Sequence, residues 1–363
     1  MATRYAFEQP GHYARGWHIV CFSQELAIGD VKRLHYFEQE LVLFRGENGE
    51  AVILDAYCPH LGAHLAGTGS RVEGNCIRCP FHGWEFDKTG SCSKIPYAKN
   101  IPAKAKNALK SWHLSESNGW IALWNDPEDG EPNWQLPQIP DWNVGEFGDW
   151  RFNRKVIKSQ GREIIENIVD VGHFPSVHGG YVLQFDNRFT PYSVSQESRV
   201  KQDFNADMIQ PRDSKIDLKA MRQEMDADQA DQWGIATYHG PSIMYYYTTH
   251  QNPVQNLNYK SWWINYHVPI NSTEVELTSG VIVSSLDDTP LPKEFYDMYP
   301  TTAITAFGQD VEVWETKLYR PNPILCDGDG PITKLRQWYD RFYLPRSEEA
   351  WDEPERIISS VRD

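Results

Sequence analysis

Cys58-Pro59-His60 and, eighteen intervening residues later, Cys79-Pro80-Phe81-His82 each set one thiol beside one imidazole. Such donors ligate metal, and two mixed loops suit a [2Fe–2S] cluster in which two histidines replace two cysteines on one iron. Cys58 and Cys79 then share one iron and His60 and His82 the other, giving a centre that passes single electrons. Tetrahedral zinc takes the same four donors, but zinc modules more often group like with like. His64 and Cys76 lie close enough to permit a shifted set. The outer assignment is preferred because it alone gives two equivalent Cys/His loops, which leaves His64 and Cys76 as packing residues.

A second group of ligands follows in Asp170-Val171-Gly172-His173-Phe174-Pro175-Ser176-Val177-His178. On an unbroken α-helix a five-residue step would splay the imidazoles roughly 140° apart. Pro175 disfavours helix at Phe174 and breaks the ladder, so His178 can return beside His173. Two neutral imidazoles and one carboxylate form the facial triad of mononuclear Fe(II) oxygenases. Asp310 is a candidate carboxylate, at the edge of an apolar stripe of Ile304, Phe307, Val311, Trp314 and Leu318. Glu315 flanks the opposite edge similarly, and spacing does not choose between them. Asp170 is placed to bond the far nitrogen of a metal-bound imidazole, fixing its tautomer. The plain alternative is two core histidines and a helix-surface aspartate.

The elements that must hold these groups fall into an α+β fold of two domains. Residues 1–140, with a core of about 10–130, read as an all-β domain of short strands and turns. Leu41–Phe44, Ala51–Leu54 and Trp120–Trp124 are examples, and Asn48-Gly49 marks a hairpin between the first two. Asp126 to Asp141 reads as an exposed, Pro-rich connection. Residues 141–363 read as a catalytic domain with an antiparallel sheet flanked by helices. Residues 161–174 have helical character, 233–285 are strand-like and dense in aromatics, and 301–319 predict a helix. The charged stretch 203–231 reads as a surface excursion that could serve as a lid.

A chain of 363 residues, 40% hydrophobic and 13% aromatic, has material for two cores. A net charge of −15 argues against nucleic acid as a partner. No stretch approaches the roughly 18–20 apolar residues of a membrane span, and the first ten residues lack a signal peptide's apolar region. Six cysteines are too few for a disulfide scaffold; Cys21, Cys76, Cys92 and Cys326 read as free buried thiols, and the expected location is cytoplasmic. No G-x-G-x-x-G opens a strand–helix unit, so electrons must come from a separate NAD(P)H-dependent iron–sulfur or flavin reductase. Residues 71–110 hold eight Lys/Arg against three acids, a basic region suited either to an acidic redox partner or simply to solvent. Tyr238, Met244, Tyr245, Tyr246, Tyr247, Trp262, Trp263 and Tyr266 are candidate pocket residues, about half of which can face inward by alternation.

Taken together, the C-x-H, C-x-x-H and D-x-x-H-x-x-x-x-H motifs, in this order over nearly the whole chain, resemble the terminal oxygenase component of Rieske non-haem iron oxygenases. His12–His18, Gln309–Trp314, Asn322–Cys326 and Arg336–Tyr343 are most similar to the 3-ketosteroid 9α-hydroxylase and cholesterol 7-desaturase group. The resemblance implies a Rieske [2Fe–2S] cluster on Cys58, His60, Cys79 and His82, and a mononuclear non-haem Fe(II) on His173, His178 and Asp310. It also implies a role for Asn167 near that iron, and a head-to-tail homotrimer in which Asp170 links an iron ligand to a cluster histidine of a neighbouring copy. Ala63 and Phe81 stand where respiratory Rieske proteins carry an extra disulfide, a departure that argues against an electron-transport-complex subunit. The implied reaction is hydroxylation of a C–H bond of an apolar polycyclic compound such as a steroid, using O2 and reductase electrons. Desaturation, demethylation or hydroxylation of a non-steroid, and a non-catalytic Rieske electron carrier, are the alternatives.

Overall fold

The computed structural model describes residues 11–139, 149–202, 208–218, 231–252, 257–286, 290–349, 355 and 357–361. The chain divides into two compact units, Gln9–Gln138 and Ile139–Asp363.

The first unit is built from ten short strands: β1 (Gly16–Phe22), β2 (Val31–Tyr36), β3 (Gln39–Arg45), β4 (Ala51–Asp55), β5 (Arg71–Glu73), β6 (Cys76–Arg78), β7 (Glu85–Phe86), β8 (Cys92–Lys94), β9 (Leu114–Ser117) and β10 (Trp120–Asn125). They form antiparallel sheets in the orders β1-β10-β9, β2-β3-β4 and β5-β6-β7-β8. Leu41–Phe44 and Trp120–Trp124 are buried throughout, as continuous apolar runs require. The Asn48-Gly49 turn joins β3 to β4, with Arg45 opposite Ala51 and Gly49 at φ 84°. The connection after β10 is not the exposed linker its Pro and Gly content predicts. Arg15 Nε donates to buried Asp126 at 3.0 Å, and Trp134 packs edge-on against Trp124 at 5.4 Å. Aromatic burial outweighs the turn-rich composition there.

The second unit holds one eight-stranded antiparallel sheet in the order β11-β17-β16-β15-β14-β13-β12-β18. Its strands are β11 (Arg151–Ile157), β12 (Gly180–Phe189), β13 (Ser193–Gln202), β14 (Asp231–His239), β15 (Ile243–Asn252), β16 (Leu257–Pro269), β17 (Val275–Ser285) and β18 (Ile357–Ser359). Among the described residues its helices include α1 (Gly161–Ile165), α2 (Lys293–Trp314) and α3 (Ile332–Asp340). Val311 and Trp314 of α2 pack with Ile157, Ile164, Val275 and Leu277, which fixes the helix across the β11/β17 end of the sheet.

Two local expectations shift. The helix expected over 301–319 begins earlier, runs through buried Pro300 and stops at Trp314, so Leu318 lies beyond it and is exposed. The helical character over 161–174 is split: α1 gives way to a 3₁₀ turn, Glu166–Ile168, and then to a break. Asp170 Oδ1 accepts from Gly172 N at 2.9 Å, a local bond that competes with continuing helix. The proposed lid, 203–231, falls largely outside the described residues.

Candidate metal centres

The two front loops share one backbone frame. In the first, Cys58 N donates to Ala63 O and Gly62 N to Cys58 O; in the second, Cys79 N donates to Trp84 O and Gly83 N to Cys79 O. Gly62 and Gly83 take φ 75° and 72°, which the turns demand and a side chain would resist. The loops leave from β4 and β6 and drive both thiols into a core with Leu65, Trp84 and Phe86. Burial raises the Cys58 thiol pKa, and the nearby Cys79 thiol adds to the rise; backbone N–H groups of His60 and Leu61 act the other way on the Cys58 sulfur. The imidazoles of His60 and His82 lie together with ring centroids 4.7 Å apart, and Trp84 stacks on His60 at 4.7 Å and 9°.

This two-and-two arrangement bears on the metal. Among the described residues these four side chains do not close into a group around one ion, whereas His173, His178 and Asp310 do. Tetrahedral zinc would gather all four donors at one point. A binuclear cluster needs sulfur beside sulfur and nitrogen beside nitrogen. His60 Nδ1 is buried without a hydrogen-bond partner among the described residues, as a ligating nitrogen would be. The neighbours considered for a shifted set are occupied elsewhere: His64 Nε2 lies 3.1 Å from Glu40 and its Nδ1 accepts from Ala66 N, while Cys76 contacts Ser93 Oγ.

In the second unit the histidines are brought together by a π-turn over Phe174–His178, closed by Gly179 N donating to Phe174 O. With i→i+5 bonding, residues five apart come close to alignment, so His173 and His178 stand with ring centroids 5.1 Å apart. Pro175 sits in its first turn, where its missing N–H costs little. Asp310 comes from α2: its Oδ1 lies 3.4 Å from His178 Nε2 and 3.9 Å from His173 Nε2, and the ligand atoms of all three residues fall within 4.8 Å of one another. Glu315, the competing carboxylate, lies just past the end of α2 and is not in the group. Burial alone would raise the Asp310 pKa; the imidazoles of His178 and His173 and a hydrogen bond from Asn167 outweigh it, so the pKa is lowered.

The distal nitrogens are held as well. His173 Nδ1 lies 2.8 Å from the main-chain oxygen of Asp170, with the Asp170 carboxylate farther off at 3.7 Å. His178 Nδ1 lies 3.0 Å from Gln309 Oε1, and Gln309 Nε2 donates to Val177 O and Ile209 O. Both contacts leave Nε2 aimed at Asp310, the arrangement that metal-bound histidines use. Asn167 accepts from Trp314 Nε1 at 3.2 Å, which leaves its amide for Asp310.

The triad opens on a cavity of about 200 Å³ that is continuous with solvent. Tyr238, Met244, Tyr246 and Trp263 line it, whereas Tyr245, Tyr247, Trp262 and Tyr266 do not, so alternation divides the eight candidates in half. Gly234 gives the Tyr246 side chain its place, because a Cβ there would meet the phenol oxygen at 2.2 Å and the ring at 2.3 Å. Gln309, Trp84 and Asn265 were not singled out in the sequence; adjacency to Asp310 and His82 was the available signal for the first two. Cys326, expected buried, is exposed, and Cys76 is half-buried.

Residues 16–112 match the Rieske [2Fe-2S] domain, and residues 123–343 match the 3-Ketosteroid 9alpha-hydroxylase C-terminal domain. The chain is 35% identical, over 92% of its length and 81% of the relative's, to a probable 3-ketosteroid-9-alpha-monooxygenase oxygenase component of Rhodococcus rhodochrous. It is 30% identical to cholesterol 7-desaturase nvd of Hemicentrotus pulcherrimus, over 94% and 72%. Dicamba monooxygenase bound to 3,6 dichlorosalicylic acid shares the fold, with TM-score 0.66 at 16% identity over 92% of this chain and 98% of that one. A Rieske [2Fe–2S] cluster and a mononuclear non-haem iron are therefore its cofactors, and the chain belongs to the 3-ketosteroid 9α-hydroxylase family of Rieske oxygenases, as an oxygenase component.

Proposed function

We propose that this chain is the terminal oxygenase of a steroid monooxygenase, hydroxylating a ring C–H bond of a 3-ketosteroid with O2 and electrons from a separate reductase. The observation that carries the reading is a His173/His178/Asp310 triad, its carboxylate buried, opening on an aromatic-lined cavity. Cys58 and Cys79 would hold one cluster iron, His60 and His82 the other, and His173, His178 and Asp310 would hold the catalytic iron. When bound, the cluster supplies single electrons and the iron supplies O2 activation. The protein does the rest. Gln309 and the Asp170 carbonyl keep both imidazoles in the ligating tautomer, and Asn167 fixes the Asp310 carboxylate. Tyr246, Trp263 and Phe307 exclude water and hold a flat apolar skeleton against the iron.

The reading extends to a head-to-tail homotrimer in the cytoplasm. Its support is the Asp170 side chain, partly exposed beside His173 and so open to a cluster histidine of a neighbouring copy. The described cysteines are all free, which suits a reducing compartment, and no helix among the described residues is long and apolar enough to cross a membrane. Lys99, Lys104 and Lys106 make no ion pair among the described residues and offer a basic face to the reductase; its type, iron–sulfur or flavin, is the finer part of the proposal.

The purified protein, given a surrogate NAD(P)H reductase, should couple O2 uptake to a steroid product heavier by one oxygen atom. His173→Ala should keep the cluster's visible and EPR spectra and lose turnover. No steroid-dependent O2 uptake would sink the reading. A product lacking a pair of hydrogens, with no oxygen gained, would favour desaturation, the activity named for the sea-urchin relative.

A further inference from the structure

The two cluster loops share a backbone frame but not a covering. A Cβ at Gly62 of the first loop would meet nothing within 4 Å, and Gly62 is exposed. Its counterpart in the second loop, Gly83, is buried. A Cβ there would lie 2.6 Å from Arg78 Nη2, 3.1 Å from Arg78 Cζ and 3.1 Å from Pro96 Cγ. The Arg78 guanidinium therefore lies on the turn that follows His82, in the loop that Cys79 opens. Arg78 is half-buried, so its charge is screened less than that of an exposed arginine.

The strands around Arg78 leave this charge unanswered. Arg78 on β6 stands opposite Arg71 on β5 and opposite Glu85 on β7, which in turn stands opposite Lys94 on β8. Lys94 Nζ takes the Glu85 carboxylate at 2.8 Å, and Arg71 takes Glu73. Glu73 is also attracted by Arg78, but Arg71 is its chief partner. Among the described residues Arg78 makes no ion pair and no hydrogen bond. Like charges directly opposite each other weaken a sheet, so pairing across β5 and β6 does not account for a cation here.

The cluster supplies the missing anion. With neutral imidazoles on one iron, the charges of two ferric ions, two sulfides and the Cys58 and Cys79 thiolates cancel. One electron from the reductase, arriving without a proton, leaves a single net negative charge. We propose that Arg78 is an electrostatic tuning residue, a fixed cation on the second loop that favours the reduced cluster and makes the electron easier to accept. The inference uses the cluster loops alone and stands whatever substrate the second unit takes.

The test is a redox titration of the full-length, iron-loaded oxygenase, following the cluster's visible absorbance against mediators of known potential. Arg78→Met keeps the stem over Gly83 and removes the charge. Its cluster should be about 3- to 10-fold less readily reduced, a fall of about 30–60 mV. Arg78→Lys keeps the charge without the planar group and should stay within about 2-fold of wild type. Arg71→Met removes the same charge from an exposed, paired position and should also stay within about 2-fold. An unchanged or raised potential in Arg78→Met overturns the assignment. So does an equal fall in Arg78→Lys, which would make the residue a packing element, or in Arg71→Met, which would make the effect one of the whole face. If Arg78→Met does not hold the cluster, Arg78→Gln is read in its place with the same expectation, and cluster loss in both overturns it too.

Discussion

Replacing Gln309 by leucine keeps the side chain's bulk inside α2 and removes every polar contact it makes. His178 Nδ1 loses its partner at 3.0 Å, and Val177 O and Ile209 O lose donors at 3.0 and 2.5 Å. Gln309 is fully buried, so water cannot replace those bonds without opening the packing. At about 1 kcal/mol for each lost bond, the variant should unfold about 3 kcal/mol more easily. The effect on the metal is separable. An imidazole no longer anchored at Nδ1 turns more freely and changes tautomer, and loss of such a partner typically weakens metal binding about 10- to 100-fold, or about 1.4–2.8 kcal/mol. Competition for Fe(II) against a chelator, with cluster absorbance counting protein, would read this directly. Gln309→Glu should recover part of the affinity, since a carboxylate still accepts from Nδ1. A leucine variant that binds Fe(II) as tightly as wild type would refute the assignment of Gln309 as the positioning residue for His178.

Gly330→Ala should be strongly destabilising, because its Cβ would fall 1.6 Å from Val169 O, a backbone atom that cannot move without carrying Asp170 along; thermal unfolding should show a loss of at least about 1–3 kcal/mol together with reduced mononuclear iron. Trp84→Phe preserves an aromatic face for His60 but forfeits the Trp84 Nε1 bond to Tyr97 at 2.8 Å, so it should cost about 1 kcal/mol and alter the cluster's EPR spectrum while leaving mononuclear iron content unchanged. Glu40 is held down to about 2, first by its hydrogen bond from Arg33 and also by His64. Its folded pKa is depressed, so its contribution is present above the ordinary value of 4.5 and fades as pH falls toward about 2. Because the pair is open to water, that contribution is about 1 kcal/mol. In urea unfolding, Glu40→Gln should trail wild type by that amount near neutrality and match it near the acid end; an equal gap at both would contradict the linkage.

Much of the site was legible because its chemistry is carried by rare residue types at fixed spacing. Cys58, His60, Cys79 and His82 stand out as candidates from spacing alone, as do His173 and His178, and the structure brings each group of imidazoles together. Their geometry was less accessible. No residue type encodes an i→i+5 bond, so Pro175 pointed to a break where the structure has a π-turn. Asp310 and Glu315 flank one apolar stripe and differ only in which carboxylate α2, ending at Trp314, holds against the two imidazoles. Alternation showed that half of the aromatic strand residues face inward, but its parity was set by the packing of α2 on the sheet. Gln309 reads as an ordinary polar residue. Its importance arises from contacts with groups far away in the chain. The stretch after Asp126 departs from its turn-rich composition for a related reason: that composition is local, while the burial of Trp134 against Trp124 is not.

The peptide N–H groups of His60 and Leu61 favour the charged form of the Cys58 sulfur. Main-chain N–H groups directed at a ligating sulfur help set an iron–sulfur centre's reduction potential. Supplied by main chain rather than side chain, they pass unaltered through nearly every mutation, and proline at Leu61 is the direct way to delete one. Inherited drift in this stretch should therefore leave the electron-accepting voltage almost fixed, and adjustment must come from the surrounding wall, where Trp84 and Arg78 are the exchangeable parts.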